Sequence, residues 1–173
     1  DMRNCVNLIN LSQTFYYCKN LVNVYPISNY VKDMYSSFFS CYNLVNAPDM
    51  SNATNVVNMR STFSWCNNLQ TIFSLPPNVK YMYQTFSQCS NLTDICPIPN
   101  SVEIMNGTFS GCSNLVNAPD MSNATNVTNM VYTFSSCWNL VNAPVIPNSV
   151  IDMNSTFSSC WNLVNAPVIP NSV

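Results

Sequence analysis

The segment Phe-x-x-Cys-x-Asn-Leu occurs seven times in this chain of 173 residues. Its cysteines are Cys18, Cys41, Cys66, Cys89, Cys112, Cys137 and Cys160, spaced 23, 25, 23, 23, 25 and 23 residues apart. A period of this length, held this strictly, leaves little room for an ordinary globular core. It predicts a solenoid in which each unit is one rung stacked on the next.

Alignment on the cysteine defines the rung. Ten residues before it stand Val31, Val56, Val79, Val102, Val127 and Val150; seven before it stand Leu11, Met34, Met59, Met82, Met105, Met130 and Met153. Three before it is always phenylalanine (Phe15, Phe38, Phe63, Phe86, Phe109, Phe134, Phe157), and three after it always leucine, from Leu21 to Leu163. Steps of three and four residues are helical, so the spacing predicts a short helix or 3₁₀ segment per rung with its apolar stripe turned inward. Ser36, Ser61 and Asn106, just before the phenylalanine, suit the outer face.

Beyond each leucine, apolar residues fall three and six positions on, as Ala143 and Ile146 do after Leu140. That predicts a strand of three or four residues with a bulge, closed by a turn such as Pro147-Asn148-Ser149. The strand must be short because Pro48, Pro119, Pro144 and Pro167 recur at one position and each removes a ladder donor. Both 25-residue spacings come from one two-residue extension, at Met50–Val56 and Met121–Val127. Asn43–Val56 is identical to Asn114–Val127, and Trp138–Val150 to Trp161–Val173. Such copies mark duplication of a block of rungs.

Only 7% of the residues are charged, and polarity comes instead from 29 asparagines with serine and threonine. Asparagine never varies at the second position after the ladder cysteine (Asn20, Asn43, Asn68, Asn91, Asn114, Asn139, Asn162). This predicts an asparagine ladder whose amides satisfy backbone groups in the turn of each rung, rather than a ligand-binding row. The ladder cysteines point the same way from stacked rungs, which disfavours the torsion a disulfide needs. They are expected as free, buried, small hydrophobes. Cys96 lies off the ladder and is the expected exposed thiol, while Cys5 belongs to a shortened first unit (1–13). Without histidine or Cys-x-x-Cys spacing, no metal or other cofactor is expected.

Enzymatic classes fit poorly. A cysteine nucleophile lacks a histidine base, the seven acids are scattered over different rungs, and Gly107 and Gly111, the only glycines, cannot build a phosphate loop. A net charge of −2 gives no basic stripe for nucleic acid. Counted by halves, residues 1–80 carry +2 (five bases, three acids) and residues 81–173 carry −4 (four acids), a weak asymmetry. No apolar run is long enough to insert into a membrane. Seven Asn-x-Ser/Thr sequons, at Asn10, Asn52, Asn91, Asn106, Asn123, Asn126 and Asn154, follow from the asparagine-rich composition.

Positions that vary while the core repeats are the natural candidates for binding. Beside the cysteines these are Tyr17, Tyr42, Trp65, Trp138 and Trp161; on the strand side they are Tyr25, Phe73 and Asp94. Five aromatics on one edge suit stacking on sugars or contact with a protein. The alternative is that the rings only cover neighbouring rungs.

Phe134-Ser-Ser-Cys137-Trp-Asn-Leu140 followed by Ile146-Pro-Asn-Ser-Val150 resembles the BspA-like leucine-rich repeat. The Ser122-Asn-Ala-Thr-Asn-Val127-Thr-Asn-Met130 variant is similar to the related bacterial surface-protein repeat. The likeness runs from about Leu11 to the end. It implies an α/β repeat solenoid of right-handed, leucine-rich-repeat type over residues 1–173, non-enzymatic, extracellular or cell-surface. The implied function is adhesion to a host or cell-surface protein, matrix or glycan. The competing expectation is a structural element, such as a stalk or virion fibre segment, whose solenoid ends self-associate. Because an uncapped end exposes core, the chain is expected to be an excerpt of a longer one.

Overall fold

The computed structural model describes residues 5–173. Asp1 and Arg3, which enter the charge asymmetry, lie outside them, as do the first four residues of the irregular first unit. Seven rungs, numbered here by their cysteines from Cys18 to Cys160, stack in parallel. The residues aligned in sequence become continuous columns through a core of valine, methionine, phenylalanine, cysteine and leucine. The phenylalanines form an unbroken pile from Phe15 to Phe157, with neighbouring ring centroids 5.3–5.7 Å apart and planes within 13° of parallel. The five central rings are wholly buried, and each such ring contributes on the order of 3 kcal/mol.

Among the described residues there is no helix. The expected helical segment is a run of linked β-turns. In rung 4 the N–H groups of Thr85, Ser87 and Cys89 close turns onto Met82, Gln84 and Phe86, while those of Met82, Gln84, Phe86 and Gln88 reach carbonyls of rung 5 at 2.7–3.0 Å. Alternate amides therefore serve the rung and the stack. A helix would spend all of its amides internally, leaving none to join one rung to the next. Turns with spacing three mimic helical periodicity because they too return the chain to the same face. They also need left-handed backbone two residues before and after each phenylalanine, as at Ser61 (φ 53°) and Trp65 (φ 63°). Around Phe109 those two places are taken by Gly107 (φ 60°) and Gly111 (φ 77°), the residue type that such turns favour.

The strand is narrower than the sequence suggests. β1 (Thr71–Ile72) and β2 (Asp94–Ile95) pair in parallel, and elsewhere on this side the ladder shrinks to single bridges, Asn46 to Thr71 and Asn117 to Asn142. Rungs 3 and 4 hold Phe73 and Cys96 where Pro48, Pro119, Pro144 and Pro167 stand in other rungs. The Cys96 N–H donates to the Ile72 carbonyl at 2.9 Å, a bond that proline cannot make. A second ladder of parallel bridges, from Asn10 through Asp33, Asn58, Tyr81, Ile104 and Asn129 to Asp152, precedes the turn run.

Buried polar groups tie the rungs further. Thr62, Thr85, Thr108, Thr133 and Thr156 donate their hydroxyls to the methionine carbonyl of the preceding rung at 2.7–2.9 Å. Each cysteine from Cys41 to Cys160 donates its thiol to the preceding phenylalanine carbonyl at 3.0–3.2 Å. The cysteine column is thus free and mostly buried, as expected, but it is also a hydrogen-bond ladder. Ser36, expected on the outer face, is only 4% exposed. Toward the ends, Phe15, Cys18 and Leu21, and Met153, Phe157, Cys160 and Leu163, are only partly buried.

Candidate functional site

Each rung turns a corner at its cysteine through two successive turns. In rung 3 the Cys66 N–H bonds to the Phe63 carbonyl at 3.1 Å, and the Leu69 N–H to the Cys66 carbonyl at 3.0 Å. The residues on either side of the cysteine stand at this corner; Trp65, Trp138 and Trp161 are exposed there, whereas Ser40 and Gly111 are buried. Tyr17 (φ 59°) and Trp65 (φ 63°) occupy the left-handed place just before it, where bulky residues are uncommon. All seven rungs are left-handed there, so the conformation belongs to the fold and the aromatic side chain is what distinguishes these two.

The five aromatics expected at the edge divide into two groups. Tyr17, Tyr42 and Trp65 line a shallow depression of about 330 Å³ with Phe39 and Ser40. Tyr16 stacks on Phe39 at 4.9 Å and meets Tyr17 edge-on at 4.8 Å, and the Lys19 ammonium lies 5.8 Å from the centre of Tyr42. Trp138 and Trp161 form the other group, stacked at 5.3 Å and 4°, and respectively 45% and 73% exposed. Between the groups, rungs 4 and 5 carry Gln88, Ser90, Gly111 and Ser113. Tyr16 and Phe39 were not among the expected residues. The signal for them was available, since the other five rungs all have serine two residues before the cysteine.

The asparagines after the cysteines do form a ladder, but not the expected one. Their amides bond to one another on the exposed corner. Asn68 donates to Asn43 at 3.5 Å, Asn91 to Asn68 at 3.3 Å, Asn114 to Asn91 at 3.2 Å and Asn162 to Asn139 at 3.1 Å. The turn backbone is already satisfied by its own hydrogen bonds and by the preceding rung. The amides are left to face solvent and each other.

Larger open depressions lie away from this corner, about 540 Å³ beside Pro26, Asp49 and Asn52 and about 360 Å³ beside Pro144, Val145 and Val168. On the strand side Tyr25 and Phe73 are 59% and 74% exposed. A separate notch of about 300 Å³ lies over Gly107 between Tyr83 and Tyr132. Burial pushes the Cys41 thiol up to about 11 and drives Cys66, Cys89, Cys112 and Cys137 up as well, the opposite of what a nucleophile needs. Cys96 is half-buried and its thiol is raised by burial, so the expectation of an exposed thiol there fails; Cys5 is the exposed cysteine. The carboxyls of Asp49 and Asp120 are held low chiefly by the N–H groups of Ser51 and Ser122, an ordinary turn contact. Among the described residues no three of His, Cys, Asp and Glu gather into a metal-binding group. No helix there is long and apolar enough to cross a membrane.

Two solved structures share this architecture. The T. pallidum leucine rich repeat protein TpLRR superposes with a TM-score of 0.73 at 24% identity, over 91% of this chain and 72% of that one. A leucine-rich repeat protein from Bacteroides ovatus gives a TM-score of 0.53 at 24% identity, over 82% of this chain and 42% of the other. This chain therefore spans less than half of the Bacteroides protein. No curated protein matches the sequence. The BspA type leucine rich repeat region matches residues 4–116 and 82–173 in six copies. With stacked rungs, a buried phenylalanine–cysteine–leucine core and that match over nearly its whole length, the chain belongs to the BspA-type leucine-rich repeat family.

Proposed function

We propose that the chain is a non-enzymatic binding module, presented at a cell surface or secreted, that adheres to a host protein, matrix or glycan through its cysteine corner. The observation that carries this reading is the cluster of Tyr16, Tyr17, Phe39, Tyr42 and Trp65 on a rigid edge that the core does not require to be aromatic. Exposed aromatics of this kind supply contact area at small entropic cost. The family, whose members are generally surface protein-binding modules, supports the same reading. Its test is an array of glycans and extracellular-matrix proteins, probed with the chain and with a Trp65/Trp138/Trp161 triple alanine variant. Signals lost in the variant support the edge; signals equal in both refute it.

A second reading is structural, with copies stacking end to end. It is favoured by the near-identity of the rungs, Asn43–Val56 recurring at Asn114–Val127 and Trp138–Val150 at Trp161–Val173. Sedimentation across a concentration series separates the two, since only the second requires self-association.

A further inference from the structure

The surface over the methionine column is made by the residues nine, eight and six places before each cysteine. Contacts join these three columns into one face. The Arg60 guanidinium, in the sixth place, lies 5.1 Å from the centre of the Tyr81 ring in the eighth, and the Lys80 ammonium pairs with Glu103 at 2.8 Å within the ninth. Tyr35, Val57, Tyr83, Tyr132 and Ile151 are exposed on this face or beside it.

Two features here are followed, one rung later in the same column, by their complement. In the ninth place Lys80 of rung 4 precedes Glu103 of rung 5. In the sixth place the exposed Tyr83 of rung 4 precedes Asn106 of rung 5, which lines the notch of about 300 Å³ over Gly107. That notch is open because rung 5 has glycine where rungs 4 and 6 have Gln84 and Tyr132. The side-chain oxygen of Asn106 is buried there and has no hydrogen-bond partner.

A face on which each feature lies one rung from its complement is self-complementary about a two-fold axis that crosses the solenoid between rungs 4 and 5. Such an axis reverses the order of the rungs and sets each column against its equivalent. Lys80 then meets Glu103 of the second copy, and Glu103 meets its Lys80, closing a ring of four alternating charges. Each Tyr83 enters the other copy's notch, between that copy's Tyr83 and Tyr132. There the Asn106 amide can turn toward the phenol hydroxyl, the donor that its oxygen lacks. Arg60 comes against Val131 and Tyr132 of the second copy, where the guanidinium gains a second ring. Farther out, Lys32 lies between its own Asp33 and Asp152 of the second copy. Parallel packing of the same faces sets Lys80 on Lys80 and Arg60 on Arg60, which like-charge repulsion opposes.

We infer that this face is an interface between two copies of the chain, packed antiparallel about an axis between Lys80 and Glu103. The pair is closed, unlike end-to-end stacking, which adds copies without limit, and it leaves the cysteine corner out of the contact.

Sedimentation equilibrium from about 1 µM to about 300 µM is expected to show monomer and dimer only. A chain that stays monomeric throughout, or that grows past the dimer, overturns the inference. Lys80→Glu and Glu103→Lys each set like charges across the axis, and each should weaken dimerisation about tenfold or more. Mixed one to one, these two variants should pair again, because one is negative at all axial positions and the other positive. Loss of the ion pair within each copy cannot produce that rescue, and a mixture no more associated than its components overturns the register. Tyr83→Ala, with a melt confirming that it is folded, should weaken dimerisation about tenfold; association equal to that of the parent chain refutes the seating of the ring in the notch.

Discussion

The thiol of Cys112 donates to the carbonyl oxygen of Phe86, one rung earlier, across 3.2 Å. That carbonyl already accepts the Cys89 N–H at 3.1 Å, so the sulfur completes a junction between a local turn and the stack. Cys112 is fully buried, and Cys112→Ala is expected to cost about 1–2 kcal/mol through the lost bond and the small void. Denaturant melts of the two proteins would measure it.

The same burial sets a pH dependence. The Cys41 thiol titrates at about 11 in the fold against an ordinary 9.0, and Cys66, Cys89, Cys112 and Cys137 are raised in the same direction. Above the ordinary value the unfolded chain releases these protons while the folded chain retains them. Stability from this source is complete below the ordinary thiol value and is lost as pH rises through the folded one. Midpoints of urea unfolding should fall steadily above pH 9. A midpoint that stays flat there, in a chain shown to be reduced, would contradict the buried thiol column.

Phe109 and Trp138 separate the inside of the corner from the outside. Phe109 is wholly buried between Phe86 at 5.6 Å and Phe134 at 5.5 Å. Phe109→Ala should cost about 3–5 kcal/mol. Trp138 is 45% exposed and touches one ring, so Trp138→Ala should cost about 1 kcal/mol. Similar losses in parallel melts would place the tryptophan inside the rung.

Ser37 is the one place where the threonine column lapses. It is wholly buried and its hydroxyl has no partner, whereas Thr62 one rung on bonds to Met34 at 2.8 Å. Ser37→Thr restores the column's shape and turns the hydroxyl toward the Leu11 carbonyl. The expected gain is on the order of 1 kcal/mol, read as a higher melting temperature.

Gly111 tests the turn run itself. A Cβ there would clash with the Gln88 side-chain amide, and its φ is +77°. The glutamine can swing away, but the backbone cannot leave the left-handed region. Gly111→Ala should therefore cost about 1–2 kcal/mol, and truncating Gln88 to alanine alongside it should recover little. Full recovery in the double variant would mean that the clash, rather than the backbone, is limiting.

The rung count, the core columns and the free thiols were legible in the sequence because a stacked rung places equivalent residues in equivalent surroundings, so burial repeats with the chain. The narrowing of the strand was legible in direction from Pro48, Pro119, Pro144 and Pro167, which lack the amide that Cys96 uses toward Ile72. The helix was misread. Residues spaced by three and four return to one face in a helix and in linked turns alike, and only Gly107 and Gly111, together in one rung, hinted at left-handed backbone. Tyr17, Tyr42, Trp65, Trp138 and Trp161 were expected on one edge, but the structure divides them into two groups, and Tyr16 and Phe39, replacing serine, were passed over.

The sequence by itself determined that this is a stack of rungs with a phenylalanine, a cysteine and a leucine in each, because periodicity and burial pattern are properties of the chain. Only the tertiary structure decided where each amide goes: alternate N–H groups along the axis, cysteine thiols and threonine hydroxyls onto the preceding rung, and asparagine side chains onto one another. Those choices depend on what the neighbouring rung presents a few ångströms away. A one-dimensional pattern carries the repeat of such contacts, but not their direction.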